Sequence, residues 1–251
     1  MYYYLFDSPL ADKRYGAIVN RIEFRIIELG INGRMDRLSI LKNMQELIET
    51  AVKHGAETIV IVGDDAAIAR AVSIVARYKV TLGIIPVGEH LDIPRALGIP
   101  EGEAACDVLS KRVIRTIDLG KANGHYFLFS LDVPAQQVSV ECDGHYRISL
   151  LGVPRSFSIC NFSPERREHH ASDPEDGMLE AIIKEESAGW NPFRKSSQAI
   201  ESVFPLRTAK IVCNDASVPI TLDGGPVVKT PVLVEVAPKK LRVVVGRDRH
   251  F

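Results

Sequence analysis

Apolar residues recur along this chain with two different periods, and the change of period divides it. In the first part Tyr2 to Phe6 is a short apolar run that predicts a strand. Ala17, Ile18, Ile22, Phe24, Ile26, Ile27 and Leu29 follow at helical spacing and stop at Gly30; Ile40, Leu41, Met44, Leu47, Ile48 and Val52 form a second helical stripe that stops at His54-Gly55. Thr58 to Val62 and Thr81 to Val87 are continuous β-branched and apolar runs, the mark of strands buried on both faces, and Ala67 to Val75 reads as the helix between them. From about Asp118 the period becomes two. Val138 to Cys142 and Tyr146 to Leu150 alternate around Asp143-Gly144, a strong hairpin signal. Ser156 to Phe162, Leu179 to Ile183, Thr208 to Cys213, Val218 to Leu222, Val232 to Val236 and Leu241 to Val245 are further short strands. Ser163 to Asp176 reads as a polar surface loop, and Ser187 to Ala199 as a polar stretch with one short helix. The pattern predicts an α/β domain over 1–118 with a parallel, Rossmann-like sheet suited to nucleotide binding. A β-rich antiparallel sandwich over 119–240 and a C-terminal segment over 241–251 follow it.

Composition narrows the function. With 251 residues, 46% hydrophobic and 25% charged, the chain can bury a core and is neither disordered nor fibrous. A net charge of −1 speaks against nucleic acid as the main partner. No apolar run approaches the ~18 residues of a membrane span, and Met1 to Asp7 lacks the basic start of a signal peptide. The four cysteines, Cys106, Cys142, Cys160 and Cys213, are too scattered for a zinc or disulfide framework. A cytoplasmic protein is expected.

The most informative turn is Val62-Gly-Asp-Asp-Ala66, after a buried strand and before a helix. Gly63 permits close backbone approach, and N–H groups at a helix start favour a phosphate. The plainer alternative is a turn in which an aspartate caps the helix. Ile84-Ile-Pro-Val-Gly88, followed by Glu89-His-Leu-Asp92, is a second strand-to-loop transition.

The stretch Gly83-Ile-Ile-Pro-Val-Gly-Glu-His-Leu-Asp-Ile-Pro-Arg-Ala-Leu-Gly-Ile-Pro100 resembles the diacylglycerol kinase catalytic domain family, which includes bacterial lipid kinases and sphingosine kinases and is related to NAD kinases. Arg115 to Gly120, Asn123 to Phe127, Ala171 to Glu180, Leu222-Asp-Gly224 and Thr230 to Val245 extend the resemblance in the family's order. It implies a two-domain fold whose chain end returns to the first domain. It also implies transfer of the ATP γ-phosphoryl group to a lipid hydroxyl with Mg²⁺. Carried over motif by motif, it implies Asp64, Asp118 and Asp223 as catalytic acids, and Gly63, Asp65, Gly88 and Asp92 around the nucleotide. Asp173, Asp176 and the carbonyl of Met178 correspond to a metal-holding loop. Nucleotide, a lipid or membrane surface and a second copy in a homodimer are the implied partners.

The motifs also depart from the family. Its G-G-D-G-T reads Val62-Gly63-Asp64-Asp65-Ala66, which places a β-branched side chain and an extra charge beside the phosphates; two like charges about 4 Å apart at an effective dielectric near 20 repel by roughly 4 kcal/mol. Its G-T-G-N-D reads Gly88-Glu89-His90-Leu91-Asp92. Its D-G-E turn, which supplies the general-base Glu, reads Asp223-Gly224-Gly225. The N-P-x-x-G loop is reduced to Asp7-Ser8-Pro9, and a helical segment between Phe129 and Val138 is missing. The expectation is a diverged member whose kinase activity is lost or altered. The alternatives are an active kinase on an unusual acceptor, and a non-catalytic nucleotide- or protein-binding scaffold. Further candidates each have a plain surface reading beside the functional one: Arg166-Arg167 with His169-His170 as metal ligands, Trp190 and Phe193 as an aromatic clamp, and Lys239, Lys240, Arg242, Arg247 and Arg249 as a basic tail drawn to phosphate or an anionic bilayer.

Overall fold

The computed structural model describes residues 1–39, 42–134, 138–149, 155–162, 173–185, 200–213 and 217–251. Strand β1 (Tyr2–Phe6), helix α1 (Gly16–Glu28), β2 (Gly33–Arg37), α2 (Met44–Lys53), β3 (Thr58–Gly63), α3 (Asp65–Val75) and β4 (Thr81–Pro86) alternate as the apolar periods predict. Two short helices follow, α4 (Asp92–Ala96) and α5 (Ala104–Lys111). The remainder is β: β5 (Ile114–Ala122), β6 (His125–Phe127), β7 (Ser130–Val133), β8 (Val138–Cys142), β9 (Tyr146–Ser149), β10 (Arg155–Cys160), β11 (Leu179–Glu185), β12 (Ile200–Leu206), β13 (Thr208–Cys213), β14 (Pro219–Leu222), β15 (Val227–Lys229) and β16 (Val232–Val244).

The strands form two sheets. One has ten strands in the order β2-β1-β3-β4-β16-β13-β8-β9, with β5 beside β16 and β6 beside β5; the other runs β12-β11-β10-β7-β14-β15. Strands β2, β1, β3 and β4 pair in parallel, and β16 joins β4 in parallel through Arg242 and Val243. This 2-1-3-4 order differs from the 3-2-1-4 order of dinucleotide-binding Rossmann folds. It places the topological switch point between β1 and β3, where open α/β sheets bind ligands. The six-stranded sheet is antiparallel throughout.

Two cores result. Ile22, Ile26, Ile48, Ile68 and Val72 of the helices pack on Tyr4, Phe6, Ile59, Ile61 and Ile84 of the parallel strands. A second core lies between the two sheets, with Val140, Ile211 and Val234 on one side and Leu131, Phe157, Ile159, Leu179 and Ile220 on the other. Alternation along each strand puts these residues inside, which is the sandwich geometry the period predicts.

Strands β5 and β16 run through both cores. The sequence reading breaks the last strand into Val232 to Val236 and Leu241 to Val245, but β16 is one strand with an irregularity between Ala237 and Leu241. The bulge absorbs Pro238, which has no N–H to donate, and Lys239, whose φ is 50°. Lys239, Lys240 and Arg242 therefore belong to a strand rather than a tail, and Lys240 Nζ stands 5.2 Å from the Tyr126 ring centroid.

Strand β2 escapes the hydrophobic pattern because Gly33-Arg-Met-Asp-Arg37 is a polar edge strand. Helices α4 and α5 are too short to show a period. The second helical stripe begins at Met44, capped by Asn43 Oδ1 on Glu46 N at 2.9 Å; Ile40 and Leu41 lie outside the described residues. So do the readings placed on 163–172 and 187–199, including His169, His170, Trp190 and Phe193.

Candidate functional site

The carboxyl ends of β1, β3 and β4 converge on a cleft of about 180 Å³. Asp7, Gly63, Asp64, Gly88 and His90 line it, with Arg14 across the mouth. Asp64 caps α3, its Oδ1 accepting from Ala67 N at 3.1 Å. The plain reading of this turn is therefore met, and it coexists with the cleft. A Cβ on Gly63 would lie 3.0 Å from Ala67 Cβ and 3.1 Å from Asp7 Cβ. At Gly88, φ is +141° and a Cβ would lie 2.9 Å from Asp64 Cβ, so this loop needs glycine on both counts.

Sequence reasoning left Asp7 unassigned, yet it is 5% exposed at the floor of the cleft. Arg70, one turn along α3, donates Nη2 to both Asp7 carboxylate oxygens at 3.0 and 3.1 Å. The signal was available: an acid directly after the first buried strand, with an arginine on the facing helix.

Two expected obstacles to phosphate are absent. Val62 is fully buried in the core, because strand alternation turns its side chain inward. Asp65 is turned away onto α4, where Oδ2 accepts from Asp92 N at 2.8 Å and Oδ1 from Ile93 N at 3.1 Å. Burial pushes Asp65 up to about 6, against the two N–H groups that favour its charged form. Asp92 itself is exposed on α4 and accepts from Arg95 Nη1 at 2.7 Å. Of the residues expected around the nucleotide, Gly63 and Gly88 line the cleft, while Asp65 and Asp92 hold the helix beside it.

The other two expected catalytic acids lie deeper. Asp118 is 1% exposed; its Oδ2 accepts from Gly177 N at 2.7 Å and its Oδ1 from Lys239 N at 2.6 Å. It thus ties the 173–178 turn to the bulge of β16. In that turn Asp173 Oδ1 accepts from Glu175 N at 2.9 Å and Asp176 Oδ1 from Met178 N at 2.8 Å. Arg115 clamps the turn by two bonds to Glu175, at 2.7 and 2.8 Å. Burial, reinforced by Asp173 and Asp118, raises Asp176 above the ordinary carboxylate range.

Asp223 closes the β14 turn. Its Oδ2 accepts from Leu128 N at 2.6 Å, and its Oδ1 from Phe129 N at 2.7 Å and Ser130 N at 2.9 Å. Burial pushes it up to about 6 despite these donors. Gly225 follows, and a Cβ there would meet only Leu222 O at 3.8 Å and Ala69 Cβ of α3 at 4.0 Å. The position has room for a side chain and faces the helix that Asp64 caps.

These residues suit the two implied cofactors unequally. Whole small molecules occupy pockets of roughly 300–1,000 Å³, so a glycine-lined cleft of this volume has room for a phosphate group rather than for a whole nucleotide. For magnesium, the described residues contain no group of three His, Cys, Asp or Glu side chains able to hold a metal ion. Asp173, Asp176 and Met178 share one turn, but the polar contacts of the two carboxylates there are with backbone N–H groups.

Comparison with known proteins agrees with this geometry. Residues 15–122 match the model of the diacylglycerol kinase catalytic domain. A diacylglycerol kinase of Bacillus subtilis (strain 168) is 41% identical over 76 residues, 29% of this chain and 25% of that protein. A diacylglycerol kinase of Mycobacterium tuberculosis (strain H37Rv) is 33% identical over 79 residues, 31% of this chain and 26% of that protein. The matches thus span about a quarter of these curated relatives. The crystal structure of a diacylglycerol kinase from Bacillus anthracis (strain Sterne) superposes with a TM-score of 0.73 at 16% identity, covering 97% of this chain and 96% of that one. The fold is therefore shared over nearly the whole chain. Residues 15–122 are thus similar to the diacylglycerol kinase catalytic domain, and the remainder of the chain shares the fold of that crystal structure.

Proposed function

We propose that this protein binds the phosphate end of a nucleotide at the β1–β3 switch point, and that phosphoryl transfer to a lipid hydroxyl is lost or strongly slowed. The family reaction is ATP-dependent phosphorylation of a lipid, and ATP is the nucleotide assigned here. What supports the reading is position 225, where the resemblance would place the family's base and this chain has a glycine with room for a side chain beside α3. A positioned general base contributes roughly 10²–10⁴-fold to such a step.

The neighbouring acids are already committed. Asp7 is paired with Arg70, Asp64 caps α3, Asp65 holds α4, and both Asp223 oxygens accept backbone N–H groups. None of them is left free to take a proton from an acceptor hydroxyl without breaking a contact that shapes the fold. What remains is recognition: with Asp65 N given to His90 O and Ala67 N to the cap carboxylate, the glycine backbones of the cleft are the groups that orient a phosphate.

Two measurements test this. Thermal unfolding with and without Mg-ATP, ADP and NAD reads binding, since a ligand at 100 times its dissociation constant stabilises the native state by about 2.7 kcal/mol. The stabilisation is expected with one nucleotide and is expected to vanish in Asp64→Ala. Transfer of labelled phosphate from ATP to diacylglycerol in mixed micelles reads chemistry. Slow or undetectable transfer by the native chain, rising in Gly225→Glu, is expected. Rapid transfer by the native chain, unchanged by Gly225→Glu, would show that the base lies elsewhere and that the protein is an active kinase.

A further inference from the structure

A second cavity lies away from the switch point. After α4 the chain turns through Gly98 to Pro100 into α5, and its last residues, 245–251, return over this turn. Gly246 N donates to Leu97 O and His250 N to Ala96 O, both at 2.9 Å. Val245 N donates to Val113 O at 2.9 Å. A cavity of about 780 Å³ opens between these segments. That is four times the volume of the switch-point cleft, and within the roughly 300–1,000 Å³ range of small-molecule sites.

Its walls have two chemistries. Arg95, Lys111, Arg247, Arg249 and His250 contribute cationic or ionisable groups, against the single acid Asp248. Ile99, Val108 and Val245 contribute an apolar wall. Arg95 is paired with Asp92. Lys111 and Arg247, by contrast, make no ion pair or side-chain hydrogen bond with any described residue, and His250 Nδ1 is buried without a hydrogen-bond partner among them. The two cations raise the positive potential over the cavity mouth.

The segment is held by packing, not by charge. Glycine at 98 is required because a Cβ there would come within 2.6 Å of Arg249 N. Phe251 stacks edge-on against Phe162 at 5.3 Å, and Phe162 against Phe129 at 4.7 Å. The backbone that carries Arg247 is thus held beside the cavity, and the Lys111 and Arg247 side chains are exposed at its edge.

We infer that this cavity binds a phosphomonoester attached to a short apolar body, with Lys111 and Arg247 as its charge partners and Ile99, Val108 and Val245 against the apolar body. A soluble phosphorylated metabolite and the headgroup of a phosphorylated lipid share this chemistry. The site is separate from the nucleotide cleft and does not depend on the reading of that cleft.

The test is calorimetric titration of the full chain with glycerol 3-phosphate and with short-chain dihexanoyl phosphatidic acid below its micelle concentration. Co-sedimentation with phosphatidylcholine vesicles, with and without phosphatidic acid, accompanies it. Saturable one-site binding of at least one soluble ester is expected. It should weaken about ten-fold or more in Lys111→Glu/Arg247→Glu, the scale of losing two close charge partners. A charge-matched control, Lys210→Glu/Lys229→Glu on the β-rich half, should leave it unchanged. If the reversed pair destabilises the fold, Lys111→Gln/Arg247→Gln and the ligand-induced shift of the His250 ring resonances carry the same test. Equal affinity for both esters assigns a soluble ligand, and much tighter binding of the short-chain lipid assigns a headgroup. No saturable binding of either ester overturns the site, as does equal weakening by the control. Binding only to charged vesicles also overturns it, because it shows surface adsorption without use of the cavity.

Discussion

Two acidic turns touch the same helix and have diverged in opposite ways. The turn at 63–65 departs from the family motif in its side chains and directs each of them into a structural contact. Val62 points into the core, Gly63 still packs against Asp7, Asp64 caps α3, and the extra Asp65 is spent on α4. The turn at 223–225 keeps its shape with no carboxylate at its tip. Asp223 still gathers three backbone N–H groups, but the residue that would project toward α3 is glycine. Substitutions at a loop are tolerated when side chains can be redirected. The absence of a side chain cannot be redirected, and on the proposed reading Gly225 therefore weighs more than the changes in the first turn.

The largest expected effect sharpens this contrast chemically. Gly225→Glu should raise phosphoryl transfer to a lipid hydroxyl by roughly 10²–10⁴-fold, read as labelled product per unit time. Ordinary contacts at position 225 make the substitution sterically mild. A folded variant with no gain would place the defect in the first turn instead.

Asp223→Ala should reduce stability by about 3 kcal/mol or more, because the N–H groups of Leu128, Phe129 and Ser130 lose their acceptor in a buried setting. Urea unfolding at neutral pH measures it. Asp64→Ala, by comparison, should cost about 1 kcal/mol, the usual worth of a helix cap, while abolishing nucleotide-dependent stabilisation. Reversal of that order would mean that the first turn, not the second, is the structural one.

The smallest effect is on pH dependence. Asp65 and Asp223 are both pushed up to about 6, so each holds its proton in the native state over a range where the unfolded chain has released it. The native state then binds more protons, and stability falls as pH rises from about 4 to about 6 on account of these groups. Asp65→Asn should flatten part of that slope in unfolding measurements across the window. An unchanged slope would locate the titration entirely at Asp223 or elsewhere.

Much of this architecture was legible in the residues. β-branched runs at Thr58 to Val62 and Thr81 to Val87 marked buried parallel strands, and the switch to period two marked the sandwich. What escaped was short, polar or mixed in pattern. Strand β2 carries charges because it lies at a sheet edge, and α4 has too few residues for a period. The break at Pro238-Lys-Lys240 looked like a strand end because apolar alternation stops where a bulge absorbs the irregular residues.

The candidate site divides the same way. Gly63 and Asp64 could be read as a candidate phosphate turn because such turns are local, and neighbouring residues specify them; Gly88 entered only through the family resemblance. The pairing of Asp7 with Arg70 could not, since those residues stand on separate elements brought together only when α3 packs on the sheet. Nor could the direction of the Asp65 carboxylate, which depends on where α4 presents its N–H groups. The cavity under the C-terminal segment is the clearest case. Arg247 reads as part of a solvated tail along the chain, and only the return of residues 245–251 over α4 and α5 brings it to the same cavity as Lys111. Periodicity and turn chemistry act over a few residues, so the sequence by itself determined the elements and their capping acids. Which charges face one another depends on contacts between residues far apart in the chain, and those only the tertiary structure decided.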